Sequence, residues 1–196
     1  WITTKDWSGS STGTYPMSIF DYLVAICNKL GLSRALNSSS IYNYDKTIPR
    51  DIYKGLGYTY RDVLDEIAQA IGGCIVFGAY DILPNVLMVK YPNNSNDTID
   101  ENYLKDVNVT FGEKYGPINT IVLSRSAESD NVYYPDRLPQ NPVEIKIVDN
   151  QIMNFNDRAD FLPGLYQALN GLEYYVNDFE SKGILYYELG DYYNIS

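Results

Sequence analysis

Apolar positions in the first third of the chain fall twice at helical spacing. Ile19, Tyr22, Leu23, Ile26 and Leu30 recur three and four apart, so they line one side of an α-helix that Pro16 and Ser18 open and Gly31 closes. A second stripe, Val63, Leu64, Ile67, Ala68 and Ile71, follows Thr59 as N-cap with Asp62 three residues on, a capping-box-like pair in which Asp replaces the usual Glu or Gln. Gly72-Gly73 terminates it. Cys74 to Phe77 and Val86 to Val89 then predict a hairpin around Tyr80 to Pro84, and two helices covering one face of a small sheet is the economical packing. The polar run Asn93-Asn94-Ser95-Asn96-Asp97 punctuates this order, because Asn, Ser and Asp compete for backbone hydrogen bonds. It divides the chain into an α+β unit over 1–92, a linker over 93–100 and a β-rich unit over 101–196.

Beyond the linker the period changes to two. Val107, Val109 and Phe111 alternate as a strand, and Gly116-Pro117 supplies a turn, since proline fixes φ and glycine tolerates φ > 0. In the next run Ile118, Thr120 and Val122 face one way and Asn119, Ile121 and Leu123 the other, so both faces are largely apolar and the strand belongs inside a sheet. Asn131 to Tyr134 and Val143 to Val148 follow as strands, the latter with Val143, Ile145 and Ile147 against a wet face of Glu144, Lys146 and Val148. Asn156 or Asp157 caps a helix bearing Phe161, Leu165, Ala168 and Leu169, with Gly171 at its left-handed end. Pro163 predicts a kink there or a helix that starts close to it. Leu172 to Phe179, Ile184 to Leu189 and Tyr192 to Ile195 complete the pattern as short strands. The fold class is α+β: a small helix-plus-sheet domain followed by a mostly antiparallel β domain carrying one helix.

The ordered set Asn102-Tyr103, Tyr115 to Arg125, Asp130 to Tyr133, Asp157-Arg158, Leu165, Leu169 to Leu172 and Glu188 to Asp191 resembles the tail-tip hub proteins of long-tailed bacteriophages and prophages, the phage minor structural or prophage endopeptidase tail proteins. Thr59 to Leu64, Ile67-Ala68 and Ile71 to Gly73 are similar to the preceding segment of the same family, so the resemblance runs from about Tyr15 onward. None of these motifs is catalytic; their order carries the resemblance. It implies a hub related in fold to the contractile-phage baseplate hub, usually trimeric, whose barrel-like, tail-tube-type domains continue the lumen of the tube. Many members carry peptidase or lysin activity in a further C-terminal region, and this chain is expected to end ahead of it. The β-rich unit is thus expected to be barrel-like and truncated at both chain ends.

Composition agrees with a piece of a larger assembly protein. At 196 residues a chain buries roughly 70% of its unfolded surface, enough for a real core. Trp1 in place of an initiating Met suggests a segment of a longer polypeptide. No apolar run reaches the roughly 18 residues that span a bilayer, so no membrane insertion is expected. Fifteen basic and twenty-five acidic residues give a net charge of −10, which excludes general attraction to a phosphate backbone; specific nucleic-acid binding is not expected. The acidity keeps the surface soluble; carboxylates lining a DNA conduit, where like charge stops the polymer sticking, is the sharper reading.

Histidine is absent, which removes the commonest general base and metal ligand near neutral pH and with them Ser/His/Asp triads, zinc-peptidase motifs and Cys/His pairs within this span. Cys27 and Cys74 sit in apolar runs and read as small buried hydrophobes, with no disulfide framework. Asp62, Asp65 and Glu66 lie close together on the polar side of a helix, where acids near the N-terminus favour the dipole, rather than as an opposed glycosidase pair. The 93–97 run lacks the spacing and distal Glu of an EF-hand loop. No catalytic residue, metal or cofactor is therefore expected.

Twenty tyrosines are unusual. Tyr42 with Tyr44, and Tyr174, Tyr175, Tyr186, Tyr187, Tyr192 and Tyr193, invite a sugar-binding reading, since aromatic faces stack on sugars. Tyrosine also suits half-buried strands and subunit interfaces with one apolar and one wet end, so the second group is the expected interface. The expectation is a non-enzymatic structural segment of a phage or prophage tail tip that joins the tube to distal parts. It would be made in the host bacterial cytoplasm and assemble as a homotrimer with distal tail and tape-measure proteins as partners. The alternative is a virion-borne, host-recognising carbohydrate-binding module.

Overall fold

The computed structural model describes residues 15–80, 83–91, 98–99, 112–125, 130–175 and 194–195. In chain order the elements are β1 (Met17–Ser18), α1 (Ile19–Leu30), β2 (Ser33–Ala35), a 3-10 turn at Ser38–Ser40, β3 (Thr47–Ile48), α2 (Tyr60–Ile71), β4 (Cys74–Tyr80) and β5 (Leu83–Lys90). They continue as β6 (Thr98–Ile99), β7 (Lys114–Tyr115), β8 (Thr120–Ser124), β9 (Asn131–Tyr134) and β10 (Glu144–Val148). Then come α3 (Gln151–Asn154), a 3-10 turn at Arg158–Phe161, α4 (Leu162–Leu169), β11 (Tyr174–Tyr175) and β12 (Asn194–Ile195).

Both early helices begin and end where their caps dictate. The Ser18 hydroxyl accepts the Asp21 amide at the start of α1. Thr59 and Asp62 form a reciprocal capping box at the start of α2, each side chain satisfying the other residue's otherwise orphaned amide. Gly31 and Gly72 close the two helices in the left-handed region, at φ 66° and 68°. The buried stripe of α2 takes Ala70 rather than Ala68, which is only half-buried. β4 and β5 pair antiparallel as the predicted hairpin, and β2 joins them in parallel on the other side of β5. One face of this sheet, through Leu87 with Ile75 and Val89, packs on the helices.

The second sheet has the order β10-β8-β9, with β8 buried along its whole length, as its two apolar faces predict. Its partners differ in direction: β9 is antiparallel to β8, but β10 is parallel to it. Strand pairing in this half is therefore mixed rather than mostly antiparallel, because β10 returns on the far side of β8 after a connection that reverses its direction. Among the described residues the strands form open two- and three-stranded sheets and no closed barrel. The predicted strands over Val107 to Phe111 and Ile184 to Leu189 lie outside the described residues, as does the 93–97 run.

The single predicted helix of this half is more than one element. Asp157 caps a 3-10 turn, accepting from the Ala159 amide at 3.0 Å, and α4 proper starts with proline in its first turn, the second of the two outcomes expected at Pro163. The C-cap of α4 is Asn170, in extended conformation, and Gly171 follows it at positive φ. The unpredicted α3 is capped by Asn150, whose side chain accepts from the Met153 amide. Four residues are too few to show a helical period in sequence.

One hydrophobic core runs through these elements, with Ile19, Leu23, Ile67 and Ile71 of α1 and α2 in the same cluster as Ile118, Ile121, Leu165 and Phe161. Polar ties cross it. The buried Asn43, at φ 55°, donates from Nδ2 to the carbonyls of Ala70 and Phe161 at 2.9 and 3.0 Å. Asn150 Nδ2 donates to the Glu66 carbonyl at 2.8 Å. The buried Arg158 guanidinium is matched by the Asp130 carboxylate and carbonyl, which a charge taken out of water requires.

Candidate functional site

Tyr115 ends β7 immediately before Gly116-Pro117, and the backbone geometry there is what sets the surface. Gly116 has φ 106°, and a side chain at this position would run into the Leu172 carbonyl and Glu173. Only glycine satisfies both conditions. The close approach lets the Ile118 amide donate to Leu172 O at 2.9 Å and the Gly171 amide donate to Ile118 O at 2.8 Å. These bonds bring β11 alongside β7, with Tyr174 opposite Tyr115 and Tyr175 opposite Lys114.

The Tyr115 and Tyr174 rings lie 5.4 Å apart at 44°, within the range of favourable aromatic pairs, and both are partly exposed, at 38% and 40%. Lys114 Nζ and Glu173 Oε2 are 2.8 Å apart on the same two-stranded sheet. The Tyr115 hydroxyl donates to the Glu144 carbonyl at the start of β10, tying the small sheet to the larger one. This is an exposed strand surface with aromatic bodies and polar ends, the composition that suits protein contacts. Of the six tyrosines expected at an interface, Tyr174 lies here and Tyr175 shares its strand; Tyr186, Tyr187, Tyr192 and Tyr193 lie outside the described residues. Tyr115 was missed as a surface partner, because only the fold reveals that residues 114 and 175 are neighbours.

Other tyrosines have gone inward. Tyr22, Tyr53 and Tyr60 are fully buried, and Tyr42 packs edge-on against Tyr91, whose hydroxyl accepts the Tyr42 amide at 2.9 Å. Tyr44 is exposed.

The three acids of α2 part company. Asp62 is held by its cap, and the Thr59 hydroxyl and amide lower its pKa by favouring the carboxylate. Asp65 makes an exposed pair with Arg61 at 3.6 Å. Glu66 is not on the wet side of the helix: its carboxylate accepts from Tyr58 Oη at 2.9 Å, Gln151 N at 3.0 Å and Tyr53 Oη at 3.1 Å. Burial nevertheless raises its pKa against those three donors. The signal available in sequence was its position one residue before Ile67 of the core stripe, which gave no hint of its distant partners. The cysteines also divide. Cys27 is buried, as expected, with its thiol pKa pushed up to about 11 by burial, whereas Cys74 is exposed at the first residue of β4; both are free thiols. Among the described residues no three metal-ligating acids or cysteines come together.

No family model matches the chain, and no curated protein sequence matches it. It is similar to the solved structure of the 43 kDa tail protein of prophage MuSo2 from Shewanella oneidensis, at 11% identity and a TM-score of 0.44 over 86% of this chain and 49% of that one. It is also similar to the tail protein from Neisseria meningitidis MC58, at 12% identity and a TM-score of 0.38 over 82% of this chain and 51% of that one. The chain thus spans about half the length of each of these two tail proteins.

Proposed function

We propose that this chain is a structural component of a phage or prophage tail, a central segment of the tail-tip hub that assembles around a threefold axis and joins the tail tube to distal parts. One observation carries the reading. The fully buried strand β8 lies between β9 and β10, β10 keeps a wet face, and the Tyr115–Tyr174 sheet adjoins β10 through the Tyr115 hydroxyl; among the described residues no strand pairs beyond β10. Strands left open in this way are completed by neighbours in an assembly. The residues behind the sequence resemblance support it, because they build the framework of that surface. Ile118, Ile121, Leu123, Leu165 and Leu169 are buried in the core, and Gly116 and Gly171 occupy positive φ where β7 and β11 are brought together.

In this reading the mechanism is geometric. Copies of the chain cover one another's exposed strands, the collar they form carries no reacting group, and distal tail and tape-measure proteins bind its two ends. The site of action is the virion tail tip. Light scattering on the full-length protein tests the proposal: a trimer mass is expected, and a monomer at high concentration overturns it. Specific, saturable binding on a glycan array would move the assignment to host recognition instead.

A further inference from the structure

The joint between β7 and β11 holds a reactive dipeptide. Asn170 is the only asparagine of the chain followed by glycine. Such a step is chemically labile, because a glycine nitrogen has no neighbouring side chain to hinder it and can attack the asparagine side chain to close a cyclic imide. Both residues are exposed, and a Cβ added at Gly171 would meet no described atom within 4 Å, so no described group crowds the pair. Dipeptide and exposure alone would make Asn170 lose its amide readily.

The backbone opposes this. The Gly171 amide donates to Ile118 O at 2.8 Å, so the attacking nitrogen keeps its proton engaged in the joint. The Asn170 amide donates to Tyr166 O at 2.9 Å and the Leu172 amide to Leu169 O at 3.1 Å, while the Ile118 amide donates to Leu172 O at 2.9 Å. These bonds hold Asn170 at φ −63° and ψ 135°, which turns the Gly171 nitrogen away from the Asn170 side chain. Ring closure requires that ψ to rotate, and the rotation breaks the Gly171–Ile118 bond. The same joint depends on Gly116, where a side chain would overlap the Leu172 carbonyl. Reactivity at Asn170 is thus coupled to opening of the joint.

We propose that Asn170 is a site of spontaneous deamidation gated by the β7–β11 joint, shut while the Gly171–Ile118 bond is made and reactive whenever the joint opens. In the open state hydroxide removes the Gly171 amide proton, the nitrogen bonds to Asn170 Cγ, and the Cγ–Nδ2 bond breaks as ammonia leaves with a proton from water. Water then adds at either carbonyl of the ring and opens it to aspartate or isoaspartate, with no change in oxidation state. Isoaspartate lengthens the main chain by one carbon between α4 and β11, so β11 no longer returns in register opposite β7. The modification is therefore one-way, and it removes the Tyr115–Tyr174 surface. It is a property of the single chain and holds whether or not the hub reading does.

The test is peptide mapping by mass spectrometry of the 196-residue chain held at mildly alkaline pH with and without urea, fragmentation spectra locating the change at Asn170. The folded chain should lose this amide at least about tenfold more slowly than the chain in urea, since the open joint is a minor population of the native state. Gly116→Ala, which forces the joint apart, should raise the rate without denaturant, with circular dichroism confirming that the core is kept. Hydrogen exchange of the Gly171 amide in the wild type is the second measurement, and it does not depend on that variant folding. Its protection should match the slowing of deamidation, because both track the population of the open form when closing is fast. Equal rates in the folded and unfolded chain, a Gly171 amide that exchanges without protection, or a folded Gly116→Ala chain that deamidates no faster would each overturn the proposal.

Discussion

Gly164→Ala is a substitution whose sign is set by a single contact. Gly164 lies in the first turns of α4, and in an exposed helix the change to alanine is favourable by about 1 kcal/mol. Here a methyl group would overlap the side-chain amide of Asn43, the nearest atoms to that position. Asn43 has little freedom to move, being buried, left-handed at φ 55° and bonded to both Ala70 O and Phe161 O. Displacing it leaves two buried carbonyls without partners, at roughly 1–3 kcal/mol each. Set against the helix gain of about 1 kcal/mol, the net loss is roughly 1–5 kcal/mol. In a domain of this size that lowers the melting temperature by roughly 2–20 °C. Urea titration followed by circular dichroism measures the change directly. The background Asn43→Gly, which suits the same backbone conformation without the amide, provides the control: there Gly164→Ala should cost nothing further and should recover its intrinsic helix gain. A Gly164→Ala variant as stable as the wild type, or equal losses in both backgrounds, refutes the steric argument.

Two further outcomes follow from the placement of single groups. Glu66 has a raised pKa because burial outweighs its three donors, so the folded state holds its proton more tightly than the unfolded chain does. Stability from this group is therefore full below the ordinary value of 4.5 and declines as pH rises through the folded pKa. The difference in unfolding free energy between wild type and Glu66→Gln should fall with rising pH across that window; a rising difference would mean that the hydrogen bonds dominate. For the thiols, a native-state titration with a chromogenic disulfide should count one fast cysteine, Cys74, and Cys27 should react only after denaturation, since it is buried and its thiol stays protonated up to about pH 11. Two fast thiols in the folded chain would contradict the core placement of Cys27.

Much of this architecture was legible because the decisive interactions are local. Ser18 with Asp21, Thr59 with Asp62, and glycine at positions 31 and 72 bound two helices from within a few residues. The double-sided apolarity of Ile118 to Leu123 marks a buried central strand, and the alternation of β10 reports its wet face correctly. What was not legible depends on distant chain. Whether β10 runs parallel or antiparallel to β8 is decided by the connection between them, which contains β9 and a non-repeating loop. The two- and three-residue strands β1, β2 and β3 are too short to alternate. Glu66 looked like a solvated helix acid because Tyr53, Tyr58 and Gln151 converge on it only in three dimensions. The surface was partly visible: tyrosine doublets mark candidate strands, but that Tyr174 meets Tyr115 follows from the Gly116 turn.

The bonds from Asn150 and Gln151 to Glu66 span 84 and 85 residues of sequence. During synthesis at roughly 5–20 residues per second, the end of α2 that docks on α4 must wait several seconds before its cover emerges from the ribosome. Through that interval Ile71 and its neighbours are exposed on a nascent chain whose own hairpin covers only part of them. Expression at reduced temperature, or with trigger-type chaperones in excess, should accordingly raise the soluble yield of this chain more than it does for a protein whose helices are buried by adjacent sequence.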